Sequence, residues 1–420
     1  MNDPNKAEVL ATGPTALDAA ASEYVRIVLA LGEHDSDYVD AYYGPAELRN
    51  AIRADARPVE AIRGDAEALH AKTLALPEPE SEIERLRRDY IKTQSAAVIA
   101  RAAMLSGVQL TFDEESKALY DAVAPAHGVE HFDELLRELD AELPGDGAVS
   151  TRLDAFRAKF VIPTEKLDVV FQKAIEGCRE RTLRHVALPA DESFTVEYVT
   201  DKSWSGYNWY QGNYRSVIQV NTDLPIYIDR ALDLACHEGY PGHHVYNALL
   251  EQHLVRERGW IEFTVYPLFS PQSLIAEGSA NYGIEVAFPK DEKIAWEREH
   301  LFPLAGLDPS QAEKYYRVFD LTAKLAYAGN EAARGLLDGT LTEDSAALWL
   351  EKYALMAPER AKQRIRFIRQ YRAYVINYNL GKDLVEAYVE RLANGDPEAR
   401  WTIFTELLSS PRLPSGLVSR

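Results

Sequence analysis

Residues 235–245 read Ala-Cys-His-Glu-Gly-Tyr-Pro-Gly-His-His-Val, and no other segment constrains the chain as sharply. A proline removes a backbone donor and collides with the carbonyl four residues earlier, so a regular helix cannot run through Pro241. Three of the 10 histidines gather around that break, beside Glu238. In a zinc helix of the His-Glu-x-x-His kind, two histidines one turn apart share a face. The glutamate between them acts as base toward the water that the metal activates. Here the partner one turn on from His237 is Pro241, which cannot ligate. On a regular helix His243 would sit about 120° off the His237 face, and His244 on that face but ~10.5 Å further along. The Pro-Gly pair, with Gly242 free to take a positive φ, predicts a two-residue insertion that swings His243 back toward His237. His244 then lies behind the ligands or faces substrate. Spacing alone leaves both His243 and His244 open as the second ligand.

A catalytic zinc site needs a third protein ligand and an open position. The candidate is Glu277 in Ala276-Glu-Gly-Ser-Ala-Asn-Tyr282, at the start of a helix expected after Pro271. The competing reading is a helix-start glutamate favoured by the dipole, or a solvated charge.

Around these segments the chain reads as mainly α. Leu17, Ala21, Tyr24, Val28 and Leu31 recur at the helical period before Gly32, and Ser81 opens a helix ending near Gly107. Thr111 with Glu114 fits a capping box, and Pro163-Thr164 opens a helix with Leu167, Val170, Phe171 and Cys178 on its apolar stripe. Residues 74–81 (LALPEPES) read as a loop. Near residue 190 the texture changes: residues 194–199 and 216–222 alternate like strands, flanking an aromatic loop over 204–214. The fold expected is mainly α with a small antiparallel sheet next to the metal helix. Residues 1–190 form an N-terminal helical lobe and 191–420 a metal-binding lobe, interlocked as one unit.

Composition narrows the partners. With 46 Lys+Arg against 66 Asp+Glu the formal charge is −20, which excludes the basic surfaces that nucleic acid or anionic membrane would select. Two cysteines in 420 residues cannot build a disulfide framework, so Cys178 and Cys236 read as buried packing in a reducing compartment. Asp3 and Glu8 spoil a signal peptide, and Pro267 and Pro271 interrupt the longest uncharged stretch. A cytoplasmic protein is expected, of undetermined oligomeric state.

Three stretches resemble the bacterial family catalogued as domain of unknown function 885, regarded as zinc metallopeptidases of the gluzincin type. His237, Glu238, Pro241, Gly242 and His243 meet its His-Glu-x-x-Pro-Gly-His segment. Glu277, Gly278, Ala280 and Tyr282 meet Glu-Gly-x-Ala-x-Tyr, and Tyr378 and Gly381 meet a C-terminal Tyr-x-x-Gly. Ser279 stands where the family has Trp, and an acidic residue usual seven after the ligand falls at Glu285, with Ile284 in its place. The resemblance implies a helical gluzincin-like architecture and one catalytic Zn2+ on His237, His243 and Glu277, with Glu238 as general base and proton donor. A peptide substrate follows, adding to the strand 216–222 as to an edge strand, with the aromatic loop as a cleft wall or a core corner. Tyr378 is the candidate oxyanion donor, with Tyr374 on the same helical face. The basic run Arg360–Arg372 reads as a solvated face, with the binding of a peptide's C-terminal carboxylate as the sharper alternative. Two other classes compete. One is a catalytically silent binding protein on a peptidase scaffold; the other is a helical di-metal carboxylate protein using Glu67/His70 and Glu297/His300.

Overall fold

The computed structural model describes residues 15–418; the reading of residues 1–14 lies outside them. The chain is mainly α, as its periodicity requires. The expected N-terminal helices form at Ala16–Gly32, Glu82–Leu105, Phe112–Tyr120 and Leu167–Leu183. Thr111 caps Phe112–Tyr120 through the reciprocal bonds with Glu114 that the sequence predicts. Between Ala75 and Glu82 no helix forms, in keeping with the proline-rich loop. No helix among the described residues is long and apolar enough to cross a membrane.

Among the described residues, five short strands are set between the helices. β1 (Val39–Tyr42) pairs antiparallel with β5 (Val265–Pro267). β2 (Ser193–Val199), β3 (Gly206–Gly212) and β4 (Arg215–Asn221) form a second sheet in the order β2-β4-β3. The antiparallel pairing of the sheet comes from β3 and β4, while the two strands foreseen, β2 and β4, pair in parallel. Two expectations change here. The aromatic segment 204–214 is largely strand, because Gly212, Asn213 and Tyr214 all take positive φ and turn the chain back on itself. Glu251 clamps that turn, accepting from the Asn213 N–H at 3.1 Å and the Tyr210 hydroxyl at 2.6 Å. With β3 paired to it, β4 is the central strand and has no free edge. The free edges belong to β2 and β3, so a peptide cannot add to residues 216–222 as foreseen.

At the centre lies the helix Pro271–Ala287, in which every residue but Asn281 and Glu285 is buried. It crosses the helix Ile376–Ala393 backbone to backbone: a Cβ on Gly278 would lie 2.3 Å from the Gly381 carbonyl oxygen. Both glycines of the Glu-Gly and Tyr-x-x-Gly segments therefore serve close approach. Residues before and after 190 share one contiguous core and the β1–β5 ladder. They also share a buried ion pair. Arg87 Nε reaches Glu262 Oε1 at 2.5 Å and Nη2 reaches Oε2 at 3.1 Å, with side chains 4% and 0% exposed. Arg87 also stacks 4.5 Å from the Trp260 ring centroid. Removing the guanidinium would strand a buried carboxylate. Arg87→Ala is expected to lower stability by about 3–5 kcal/mol in equilibrium urea unfolding.

Candidate metal centre

The segment around Pro241 breaks as the sequence requires. Residues Ala235–Gly239 widen into a π turn, closed by the Tyr240 N–H on the Ala235 carbonyl at 3.2 Å. A cis Tyr240–Pro241 bond follows, and a new helix starts at His243 and runs to Leu250. Gly242 has φ −77°, so positive φ is not what it supplies. A Cβ there would lie 1.9 Å from the His237 carbonyl oxygen, and only glycine allows that contact. The reversal brings the second histidine back beside the first.

Three side chains converge. One ligand atom from each of His237, His243 and Glu277 lies within 4.8 Å of the others. Glu277 Oε2 is 3.3 Å from His237 Nε2 and 3.7 Å from His243 Nε2, and the two imidazoles stand nearly perpendicular at 86°. The choice between the two adjacent histidines follows from where their rings point. His244 is fully buried on the other side, with Nδ1 2.9 Å from Ser216 Oγ on β4 and Nε2 2.9 Å from Glu192. It ties the helix to the sheet, neither backing the ligands nor facing substrate.

The hydrogen bonds around the cluster decide what it can hold. Asn281 Nδ2 donates to the Tyr378 carbonyl at 3.0 Å, which leaves Asn281 Oδ1 as an acceptor 3.0 Å from His237 Nδ1. His237 Nδ1 then carries a proton, and Nε2 is turned toward Glu277 Oε2. Glu277 Oε1 accepts from the Tyr374 hydroxyl at 2.7 Å, whereas Oε2 is buried without a hydrogen-bond partner. Two imidazole nitrogens and one carboxylate oxygen gathered within 4.8 Å are a donor set that suits zinc. Burial works to raise the Glu277 carboxyl, but His237 and His243 outweigh it and hold it well below the usual range.

Glu238 opens onto the same cleft. Burial pushes its carboxyl up, against the pull of His237 and His243. β3 supports it. Asn208 Nδ2 donates to the Glu238 carbonyl at 2.7 Å, and Gly206 leaves room for the carboxylate, since a Cβ would come 2.8 Å from Oε1. Tyr378 also lines the cleft, and its hydroxyl makes no hydrogen bond among the described residues. Burial and then the nearby Glu277 charge raise that phenol, with Arg364 opposing. The two tyrosines thus divide: Tyr374 anchors Glu277 and Tyr378 faces open space. The aromatic segment divides too. Trp204 and Tyr207 wall the cleft, Tyr210 is buried on Glu251, and Trp209 is exposed.

Some contributors had weak signals in the sequence. Asn281 sits one turn after Glu277, so helical spacing could have found it. Asp40 on β1 had none. Its desolvation, then the charges of Glu277 and Glu238, push it up to about 7. The Glu-x-x-His pairs do not assemble. His70 Nδ1 meets the Lys92 carbonyl at 2.9 Å, Glu67 pairs with Arg63, and Glu297 is buried on Tyr316. The cysteines are both buried, as expected, and their sulfurs lie 2.7 Å apart.

The bonds to Asn281 and Tyr374 fix ligand orientation, so their loss is expected to loosen metal without unfolding the chain. Tyr374→Phe and Asn281→Ala should each weaken zinc binding by about 10–100-fold in competition with a chromophoric chelator.

No family model matches the chain, and no curated protein matches it, so the family resemblance rests on the three motif segments. Among solved structures it is similar to a candidate lipoprotein of Colwellia psychrerythraea, with a TM-score of 0.55 and 16% identity over 96% of this chain and 74% of that one. It is also similar to a candidate lipoprotein of unknown function from Shewanella oneidensis, with a TM-score of 0.49 and 12% identity over 95% and 81% of the two chains. Metallocarboxypeptidase 1 of Trypanosoma cruzi gives a TM-score of 0.46 and 11% identity over 93% and 89%. At 16% identity the first likeness extends to the fold alone, and the other two are weaker still.

Proposed function

We propose that the protein is a zinc-dependent, gluzincin-like peptidase acting on short peptides, with His237, His243 and Glu277 as the metal ligands. The observation that carries this reading is the buried, unpartnered Glu277 oxygen facing two imidazole nitrogens, with Glu238 on the same cleft. Zinc bound there would acidify water and polarise the scissile carbonyl.

The remaining steps belong to the chain's own groups. Glu238, raised by burial toward the range useful for proton transfer, takes the proton of the attacking water and returns it to the leaving amine. The Tyr378 hydroxyl is free to donate to the oxygen that gains charge as the carbonyl becomes tetrahedral. Tyr374 and Asn281 hold Glu277 and His237 in place meanwhile. Trp204 and Tyr207 present flat apolar surface to substrate side chains. The cleft has a volume of about 1490 Å³, more than one small metabolite needs and enough for a peptide of a few residues.

Metal analysis of the purified chain should find one zinc per chain, and His243→Ala should lose it where His244→Ala does not. Glu238→Gln should retain the zinc and lower peptide turnover by about 10²–10⁴-fold. A Glu238→Gln variant that cleaves a mixed short-peptide library as fast as the parent would overturn the mechanism. A zinc-loaded parent that cleaves nothing in that library would leave a binding protein on this scaffold.

A further inference from the structure

The basic helix Pro358–Tyr371 is not uniform. On its outer face Lys362 pairs with Glu359 at 3.1 Å and Arg369 with Glu343 at 2.9 Å; just past its end Arg372 pairs with Glu115 at 2.7 Å. The solvated reading holds for Lys362 and Arg369, whereas Glu115, the partner of Arg372, is buried. Arg360 and Arg364, one turn apart, point the other way and line the cleft together with Arg157 and Arg230.

Three of these four differ from the other charges of the cleft. Arg230 is engaged by Asp233. The acids nearby are also engaged: Lys290 pairs with Asp320, and Lys382 with Glu285 at 2.6 Å. Arg157, Arg360 and Arg364 have no carboxylate partner among the described residues. Arg157 and Arg364 rest on the Tyr227 and Phe367 rings, at 4.8 Å each. Arg364 Nε is buried with no hydrogen-bond partner, and burial weakens the hold of that guanidinium on its proton. Arg360 stands within electrostatic reach of Arg230, Arg157 and Arg364, all of the same sign. Guanidinium groups of one sign gathered on a cleft wall without carboxylate partners are costly unless an anion completes them.

Position and shape define the anion. Arg364 lies near Tyr378, and Arg230 lies near enough to Glu238 for each charge to influence the other. The cluster thus borders the groups assigned to chemistry. The planar guanidinium fork matches a carboxylate with two parallel bonds. We propose that Arg360 and Arg364, backed by Arg157, form a subsite that binds a carboxylate of the peptide close to the bond to be cut. This rests on the peptidase reading and narrows its substrates to peptides with a carboxylate near the scissile bond. Two sources share that chemistry, the free C-terminus and an acidic side chain.

Three probes separate them: acetyl-Ala-Ala-Phe as the free acid, the same peptide as its C-terminal amide, and acetyl-Ala-Glu-Phe amide. Binding is measured by calorimetry on the zinc-loaded full chain carrying Glu238→Gln, and cleavage on the zinc-loaded parent. The free acid is expected to bind about 10–100-fold more tightly than the neutral amide, and Arg360→Gln or Arg364→Gln should remove most of that preference. Arg360 is exposed, so its variant does not depend on core packing. If the Glu-containing amide binds as the acid does and loses affinity in the same variants, the subsite stands and the side chain is its source. Equal binding of all three probes, or a preference that survives both substitutions, overturns the subsite. Cleavage of acid and neutral amide alike would sink the subsite and leave the peptidase reading intact. No cleavage of any probe, with an acid preference that the variants abolish, would sink the peptidase reading alone.

Discussion

A carboxylate buried with one oxygen satisfied and the other facing two imidazoles sets the terms for the rest of this molecule. Glu277 sits on a helix that is almost wholly buried, where an uncompensated charge costs several kcal/mol. Tyr374 answers one oxygen, and His237 and His243 stand around the other. The bond from His237 Nδ1 to Asn281 Oδ1 turns Nε2 toward that oxygen. The three side chains are thus gathered as a group that could hold a metal ion, with His237 and Glu277 oriented by Asn281 and Tyr374.

Holding that arrangement requires two close backbone approaches. At Gly242 the chain passes against the His237 carbonyl, which lets a helix stop, reverse and restart within seven residues of His237. At Gly278 and Gly381 two helices touch through their backbones, which brings the Tyr374–Tyr378 segment onto Glu277 and Asn281. Either contact would be lost to a single methyl group. The sheet supports the site from another side. Asn208 and Gly206 hold and accommodate Glu238, while His244 pins the restarted helix to β4.

Much of this could be read from residue order because the relevant interactions are local. Helical periodicity, the Thr111 cap and the stop at Pro241 depend on neighbours within a few positions. The carboxylate of the cluster was legible because Glu277 opens a motif of its own. What escaped were contacts between distant segments. Residues 204–214 looked like a loop because two glycines and many polar groups weaken the strand pattern, and only pairing with β4 makes them a strand. β4 looked like an edge because its second neighbour, β3, was hidden for the same reason. β1 is four residues long and has no partner nearby in sequence, so Asp40 gave no sign of lying near the cluster.

By itself, then, the sequence determined a mainly helical chain, a broken helix at Pro241 and a candidate ligand set of two histidines and one glutamate. Backbone sterics and short-range spacing suffice for those. Only the tertiary structure decided between His243 and His244, because the directions of adjacent side chains depend on how the kink resolves and on Ser216 and Glu192 waiting on the far side. Only it separated Tyr374 from Tyr378, which share a helical face but meet different surroundings. The same is true of the basic helix, whose charges look alike in one dimension. Packing gives carboxylate partners to Lys362 and Arg369 and leaves Arg360 and Arg364 facing the cleft without one, since an ion pair depends on where two chain segments meet.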